Sequence, residues 1–391
     1  MKTMLNTMRW FGPQDSTNLI DIKQAGAEGI VTALHHIPVG AVWSVEEIKK
    51  RQKIIQKAGM EWSVVESLPV HEAIKRRSGD YHQYIKNYKE SIKNLAACGI
   101  HVVTYNFMPI LDWVRTDHNY LNPDGSKTLL FNKIAFAYFD IHLLKRPHAN
   151  NDYSEEEKKE AKEYGSSLSE ADKKTLFKNT LLGLPGSTKN FTADEILSLL
   201  ENYRHIDNQK LRENLICFLA EIIPVAESHK VKMAIHPDDP PFSVLGLPRI
   251  VSTEEDLLHI FQSVASNANG LCYCTGSLGA HPENNLTAII DRFGDRIHFL
   301  HLRNVIRINK NIFKESPHLQ GSNNMNIIVE KIILLMQKRA ERLPMRPDHG
   351  FLHTLEEGKE HYPGYSLIGR LKGLAELRGL EQGILHKLEE S

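Results

Sequence analysis

Gly29–Lys57 reads GIVTALHHIPVGAVWSVEEIKKRQKIIQK, and within it one kind of periodicity gives way to another. Gly29–His35 is a short apolar, β-branched run of the kind that forms a buried strand. After the Pro38–Gly40 break, Ser44 stands ready as an N-cap with Glu47 three residues on, a capping box that opens an amphipathic helix over Val45–Lys57. The segment is therefore a strand followed by a helix. The same unit recurs outward along the chain. Further strand-like runs lie at Met8–Phe11, Trp62–Glu66, Val102–Phe107, Val231–His236, Leu271–Thr275, Ile297–Arg303 and Met345–Asp348, most of them followed by a helical pattern. Eight such units match a closed (β/α)8 TIM barrel, whereas an open doubly wound sheet more often stops short of that number.

One connection breaks the rhythm. About a hundred residues separate the run near Val102 from the helix near Lys210. Capping boxes at Ser154/Glu157 and Thr192/Glu195 predict helices there, so residues 107–208 read as a helical insertion on the catalytic face of one domain spanning 1–391. The insertion is within the size that barrels accept, and its charged residues read first as a solvated helix surface.

Composition limits the function. With 391 residues, 41% hydrophobic and 25% charged, the chain has the make-up of a globular protein with a large core. Lys plus Arg equals Asp plus Glu at 48 each, so there is no positive field to draw nucleic acid or an anionic membrane. Four cysteines are too few for a disulfide framework, and no stretch resembles a signal peptide or membrane span. These features predict a cytoplasmic protein.

Barrel enzymes carry their chemistry at the C-terminal ends of the strands, and here those ends are polar. His236, Cys274, His301 and Asp348 close four consecutive runs. A lone histidine or cysteine in an apolar run is usually a core residue, but four convergent donors of mixed nitrogen, sulfur and oxygen type suit Mn, Fe or Zn. Alternation along the strand places Cys274 on the same face as Cys272, with Cys272 deeper in the core, and turns His298 away from His301. Arg303 shares a face with His301, where its planar guanidinium can grip a carboxylate, the alternative being an ion pair with Asp348 or Glu66. His35, Glu66 and Asn106, at the ends of the second, third and fourth runs, complete the expected substrate-binding set. His349 follows Asp348 directly and is placed to move a proton without competing for the metal.

Taken together, MRWFGPQD, VTALHHIP, WSVVES, YNFMPILDW, MAIHPDDPP, CTGSLG, HLRN, MRPDHG and PGYSLIGRLKGLAELRG resemble the mannonate dehydratase family over nearly the whole chain. The resemblance implies conversion of D-mannonate to 2-keto-3-deoxy-D-gluconate in hexuronate breakdown, with Mn2+ or Fe2+ as cofactor. It places the metal ligands on His236, Cys274, His301 and Asp348, and the substrate and catalytic roles on Arg303, His349 and Tyr365. Taken without the resemblance, the ligand set also admits a sugar or uronate isomerase, and less readily a metal-dependent phosphodiesterase. By analogy with barrel enzymes of this size, a homo-oligomer is expected, acting on a small sugar acid.

Overall fold

The computed structural model describes residues 2–182 and 191–390. Eight parallel strands close a barrel in the order of the chain. They are Leu5–Arg9, Gly29–Thr32, Glu61–Val65, Val102–Tyr105, Lys232–Ile235, Asn269–Cys274, Ile297–His301 and Pro344–Arg346. The last returns to pair with the first through Leu5↔Pro344 and Asn6↔Met345, which leaves no free edge. All eight runs read from the sequence are present. The first begins earlier than its expected Met8, because Thr7, Met8 and Arg9 pair with Gly29, Ile30 and Val31.

Alternation along the strands fills the two sides of the wall differently. Val31, Val64, Ala234, Cys272 and Phe299 form a small cluster of their own, separate from the main core, so Cys272 is buried packing as expected. The opposite faces join a large core with the surrounding helices. The helix Val45–Lys57 illustrates the packing, with Ile48, Arg51 and Ile55 buried at helical spacing. Arg51 ties the helix to the second strand by donating from Nη1 to Ala33 O at 2.9 Å and Thr32 Oγ1 at 3.1 Å. Ser44 caps this helix from its Oγ, but the expected reciprocal bond is missing. Glu47 turns instead to Lys50 and His36. The boxes at Ser154/Glu157 and Thr192/Glu195 are complete.

The insertion differs from the helical reading at its start. Asp117–Leu121 and Lys127–Asn132 form a hairpin before the helices begin. A second hairpin, Asn304–Asn309 with Ile312–Ser316, follows the seventh barrel strand, and the two unite in a four-stranded antiparallel sheet over the barrel mouth. Phe313↔Phe131 and Lys314↔Leu130 are paired in the seam. Beneath it a separate apolar core containing Phe131, Phe136, Phe139, Val305 and Phe313 fixes the insertion to the barrel. Residues 183–190 of the expected insertion, with Met1 and Ser391, lie outside the described residues. Among the described residues, no helix is long and apolar enough to cross a membrane.

Candidate active site

Three donor atoms meet where the fifth, sixth and seventh barrel strands end. Ligand atoms of His236, Cys274 and His301 lie within 4.8 Å of one another. His236 Nε2 and His301 Nδ1 are 3.1 Å apart. His236 Nδ1 donates to Pro237 O at 2.7 Å, which assigns the proton to Nδ1 and leaves Nε2 as the inward-facing donor atom. Cys274 also caps the short helix Thr275–Ala280, its Sγ accepting from Ser277 N at 3.4 Å. Burial raises the thiol pKa, yet Arg303 and hydrogen bonds to His236 and His301 hold it well below the usual range. Burial likewise opposes charge on His236, but its hydrogen bond and attraction to Cys274, with help from Asp348 and Glu66, raise its pKa to about 9. The cluster is built to hold positive charge.

Asp348, the fourth expected ligand, stands beside the trio. Its Oδ2 lies 3.8 Å from Cys274 Sγ and 3.9 Å from His301 Nδ1. The carboxylate is turned toward two arginines, with Arg346 Nη1 at 2.6 Å and Arg303 Nε at 2.7 Å. Its backbone sits at φ 64°, a left-handed conformation uncommon outside glycine and one that functional sites tend to hold under strain.

The remaining predicted residues separate into groups. Glu66 is bound by Arg346 and by Arg9 Nη1 at 3.2 Å, and faces His301 Nε2 at 3.4 Å. Its carboxylate is thus held between two arginines and a histidine. His35 lies at the rim and reaches the cluster only through Arg9, whose Nη2 is 3.5 Å from its Nε2. Asn106 donates to Asp112 Oδ2 at 3.3 Å and makes no hydrogen bond to the cluster. Arg303 departs most from expectation. It is 1% exposed, and its guanidinium donates from Nη1 to Glu315 and from Nη2 to Asp239 and Ser277, with Nε 2.7 Å from Asp348 Oδ2 in an ion pair that is not a hydrogen bond. Three carboxylates, Asp239, Glu315 and Asp348, surround it in this arrangement. The ion pair with Asp348 anticipated from the sequence is present.

His349 lies between the trio and the upper sheet, its Nε2 3.8 Å from Asp348 Oδ1 and its Nδ1 3.1 Å from Glu315 Oε1. Tyr365 approaches its ring edge-on, centroid to centroid at 5.2 Å and 79°. Among the described residues the Tyr365 hydroxyl makes no hydrogen bond, and burial pushes its pKa up to about 12. Gly364 lets this loop close on His349, since a Cβ there would lie 2.7 Å from Leu129 and 3.3 Å from His349, at a φ of +81° that favours glycine.

Four residues beside the trio carry no role in the sequence reading: Asp239, Glu315, Arg115 and Arg346. Asp239 receives both Arg115 nitrogens at 2.6 and 3.0 Å, and Arg115 Nη2 also donates to Glu315 at 3.1 Å. Asp239 and Arg346 stand at strand ends, where polarity alone could have marked them.

The sequence model of the family described as D-mannonate dehydratase (UxuA) matches residues 4–391. A mannonate dehydratase from Marinomonas sp. (strain MWYL1) is 49% identical over 389 residues, covering 97% of this chain and 99% of the relative. One from Saccharophagus degradans is 47% identical over 393 residues, covering 99% and 98%. The crystal structure of mannonate dehydratase from Streptococcus suis serotype 2 superposes with a TM-score of 0.78 at 34% identity, covering 99% of this chain and 95% of that one.

Proposed function

The chain belongs to the mannonate dehydratase family and is a hydro-lyase, and we propose that it dehydrates D-mannonate to 2-keto-3-deoxy-D-gluconate with a divalent cation held by His236, Cys274, His301 and Asp348. The observation that carries this reading is the convergence of two imidazole nitrogens and a thiolate within 4.8 Å, beside a buried carboxylate. Such a donor set fits Mn2+ or Fe2+, and metal-binding imidazoles characteristically have a second nitrogen hydrogen-bonded as these do. His236 Nδ1 is bonded to Pro237 O, and His301 Nε2 accepts from Arg346 Nε at 3.0 Å beside Glu66. A bound cation would polarise the carboxylate end of the substrate and offset the negative charge that develops at C2.

The chain's own groups supply the proton transfers. His349 Nε2 takes the proton from C2, the electron pair of that C–H bond forms the C2–C3 double bond, and the C3–O bond breaks. With a pKa raised to about 12, Tyr365 is protonated at neutral pH and gives its proton to the departing hydroxyl, which leaves as water. The enol that remains tautomerises to the 2-keto acid. Hexuronate breakdown is the setting this chemistry suits, and a soluble cytoplasmic enzyme is consistent with the absence of membrane-spanning helices among the described residues.

Turnover of D-mannonate by chelator-stripped protein, with Mn2+, Fe2+ or Zn2+ restored separately, tests the reading. Formation of a 2-keto-3-deoxy acid only after metal is restored is the expected result. A full rate in stripped protein would overturn the metal requirement, and no product with any metal would overturn the substrate.

A further inference from the structure

Among the described residues, Glu315 is the one buried carboxylate that touches His349 Nδ1 (3.1 Å), and it comes from neither a barrel strand nor a βα turn at the fifth or sixth strand. It lies on Ile312–Ser316, the strand of the upper hairpin that pairs with Lys127–Asn132 of the insertion. Its position is fixed from several sides. Phe313 packs on Phe131 with ring centroids 5.6 Å apart, and Val305↔Glu315 pairs the two arms of the hairpin. Arg115 of the insertion and Arg303 of the barrel both donate to the same Oε1 that faces His349. Burial raises the pKa of its carboxyl, but Arg303, His349 and Arg115 together hold it below the usual range, so it stands as a carboxylate.

A carboxylate can only accept at Nδ1, so the imidazole proton must lie there. That leaves Nε2 as the nitrogen with a free lone pair, and Nε2 is the one turned toward the site, 3.8 Å from Asp348 Oδ1. Trp113 and Tyr365 meet the ring edge-on with centroids 6.1 and 5.2 Å away, which limits its rotation. We propose that Glu315 is a positioning residue that holds His349 in the Nδ1–H tautomer with Nε2 toward the substrate, so that the insertion, through its sheet and Arg115, sets the orientation of the proton-transfer group. A histidine oriented by a carboxylate is a recurrent device of hydrolytic and metal sites, where loss of the partner costs on the order of 10- to 100-fold or more. The proposal rests on His349 being the base.

The test is a double-mutant cycle on the metal-loaded enzyme with D-mannonate, using Glu315→Gln, His349→Asn and the pair. Glu315→Gln should keep the metal, leave KM within about threefold and lower kcat about tenfold or more. In the His349→Asn background, followed at high enzyme concentration, the same change should alter the residual kcat by less than about twofold. Should Glu315→Gln unfold, Glu315→Asp keeps a charge for Arg115 and Arg303 while drawing the oxygen back from Nδ1, and the same coupling is expected. Equal losses in both backgrounds, or an undiminished kcat in the folded Glu315 variant, would overturn the proposal. Normal kcat in His349→Asn would instead overturn the base assignment itself, so the two failures are distinguishable.

Discussion

Arg346, on the last barrel strand, holds Glu66, just beyond the third, through two bonds, Nε to Oε2 at 2.9 Å and Nη2 to Oε1 at 2.7 Å. The two strands are not neighbours, so the pair spans the barrel mouth. Glu66 is thereby kept ionised, with its pKa pulled well below the usual value by Arg346, His301 and Arg9 against the opposing effect of burial. It faces His301 Nε2 at 3.4 Å while Arg346 Nε donates to that same nitrogen at 3.0 Å, so the Glu66–Arg346 pair fixes the imidazole whose Nδ1 turns toward His236. Glu66→Gln should therefore weaken Mn2+ binding by about 10- to 100-fold in a calorimetric titration, with the fold retained. Unchanged metal affinity with a raised KM would return Glu66 to substrate binding.

Cys274→Ser replaces a buried thiolate with a hydroxyl that does not ionise near neutral pH. Metal content after gel filtration should fall well below one equivalent, and kcat at subsaturating Mn2+ should drop on the order of a hundredfold. Stoichiometric metal with full activity would remove Cys274 from the site.

Arg303→Lys separates two roles. Lysine keeps the charge but cannot span Asp239, Glu315 and Asp348 together. Leaving buried carboxylates without a partner costs about 3–5 kcal/mol when a pair is broken, so the midpoint of urea unfolding should fall along with kcat. An unchanged midpoint with a raised KM alone would show that Arg303 binds the substrate carboxylate directly.

The contrast between Arg303 and the His236, Cys274 and His301 trio shows what was legible from the strand pattern. His236, Cys274 and His301 could be read because each ends a strand, and barrel geometry brings strand ends together whatever the loops do. Arg303 lies just past such an end and beside the trio, but its partners come from elsewhere. Asp239 was visible at a strand end, while Glu315 sits on a hairpin whose partner strand is Lys127–Asn132, about 180 residues earlier. Antiparallel pairing at that distance leaves no periodic signal in either segment. The turn Asn122-Pro123-Asp124-Gly125 was a local cue for the first hairpin, overshadowed by the helical caps that follow it.

His298 gives a pH dependence independent of catalysis. It points away from His301, is 2% exposed, and contacts Asn267 O through Nε2 at 2.7 Å. Burial lowers its pKa to about 3. The unfolded chain therefore binds a proton near the ordinary histidine value of about 6.5 that the folded chain refuses, and stability falls as pH drops from about 6.5 toward 3. His298→Gln keeps an N–H donor and does not titrate. Between pH 7 and pH 5 the variant should lose about 2 kcal/mol less unfolding free energy than wild type in urea titrations. Parallel losses would mean that His298 is protonated in the fold.

In the proposed mechanism Tyr365 is the acid, and burial raises its pKa to about 12, opposed by Arg346 and Arg9 and aided by Asp348 and Glu66. A phenol with that value is protonated throughout the neutral range, so the pH–rate profile should show no limb from it below about pH 10. Tyr365→Phe should keep metal and fold, because the ring packing against Phe11 and His349 remains and the hydroxyl has no hydrogen-bond partner to abandon among the described residues. Its kcat on D-mannonate should fall by about 10²- to 10⁴-fold, the range for losing a proton-transfer group. A reduced kcat alone does not separate acid from pocket wall, but the leaving group does. Fluoride departs without being protonated, so on 3-deoxy-3-fluoro-D-mannonate the ratio of wild-type to Tyr365→Phe kcat should shrink toward one. If the variant loses as much on the fluoro substrate as on mannonate, Tyr365 shapes the pocket and another group protonates the leaving hydroxyl.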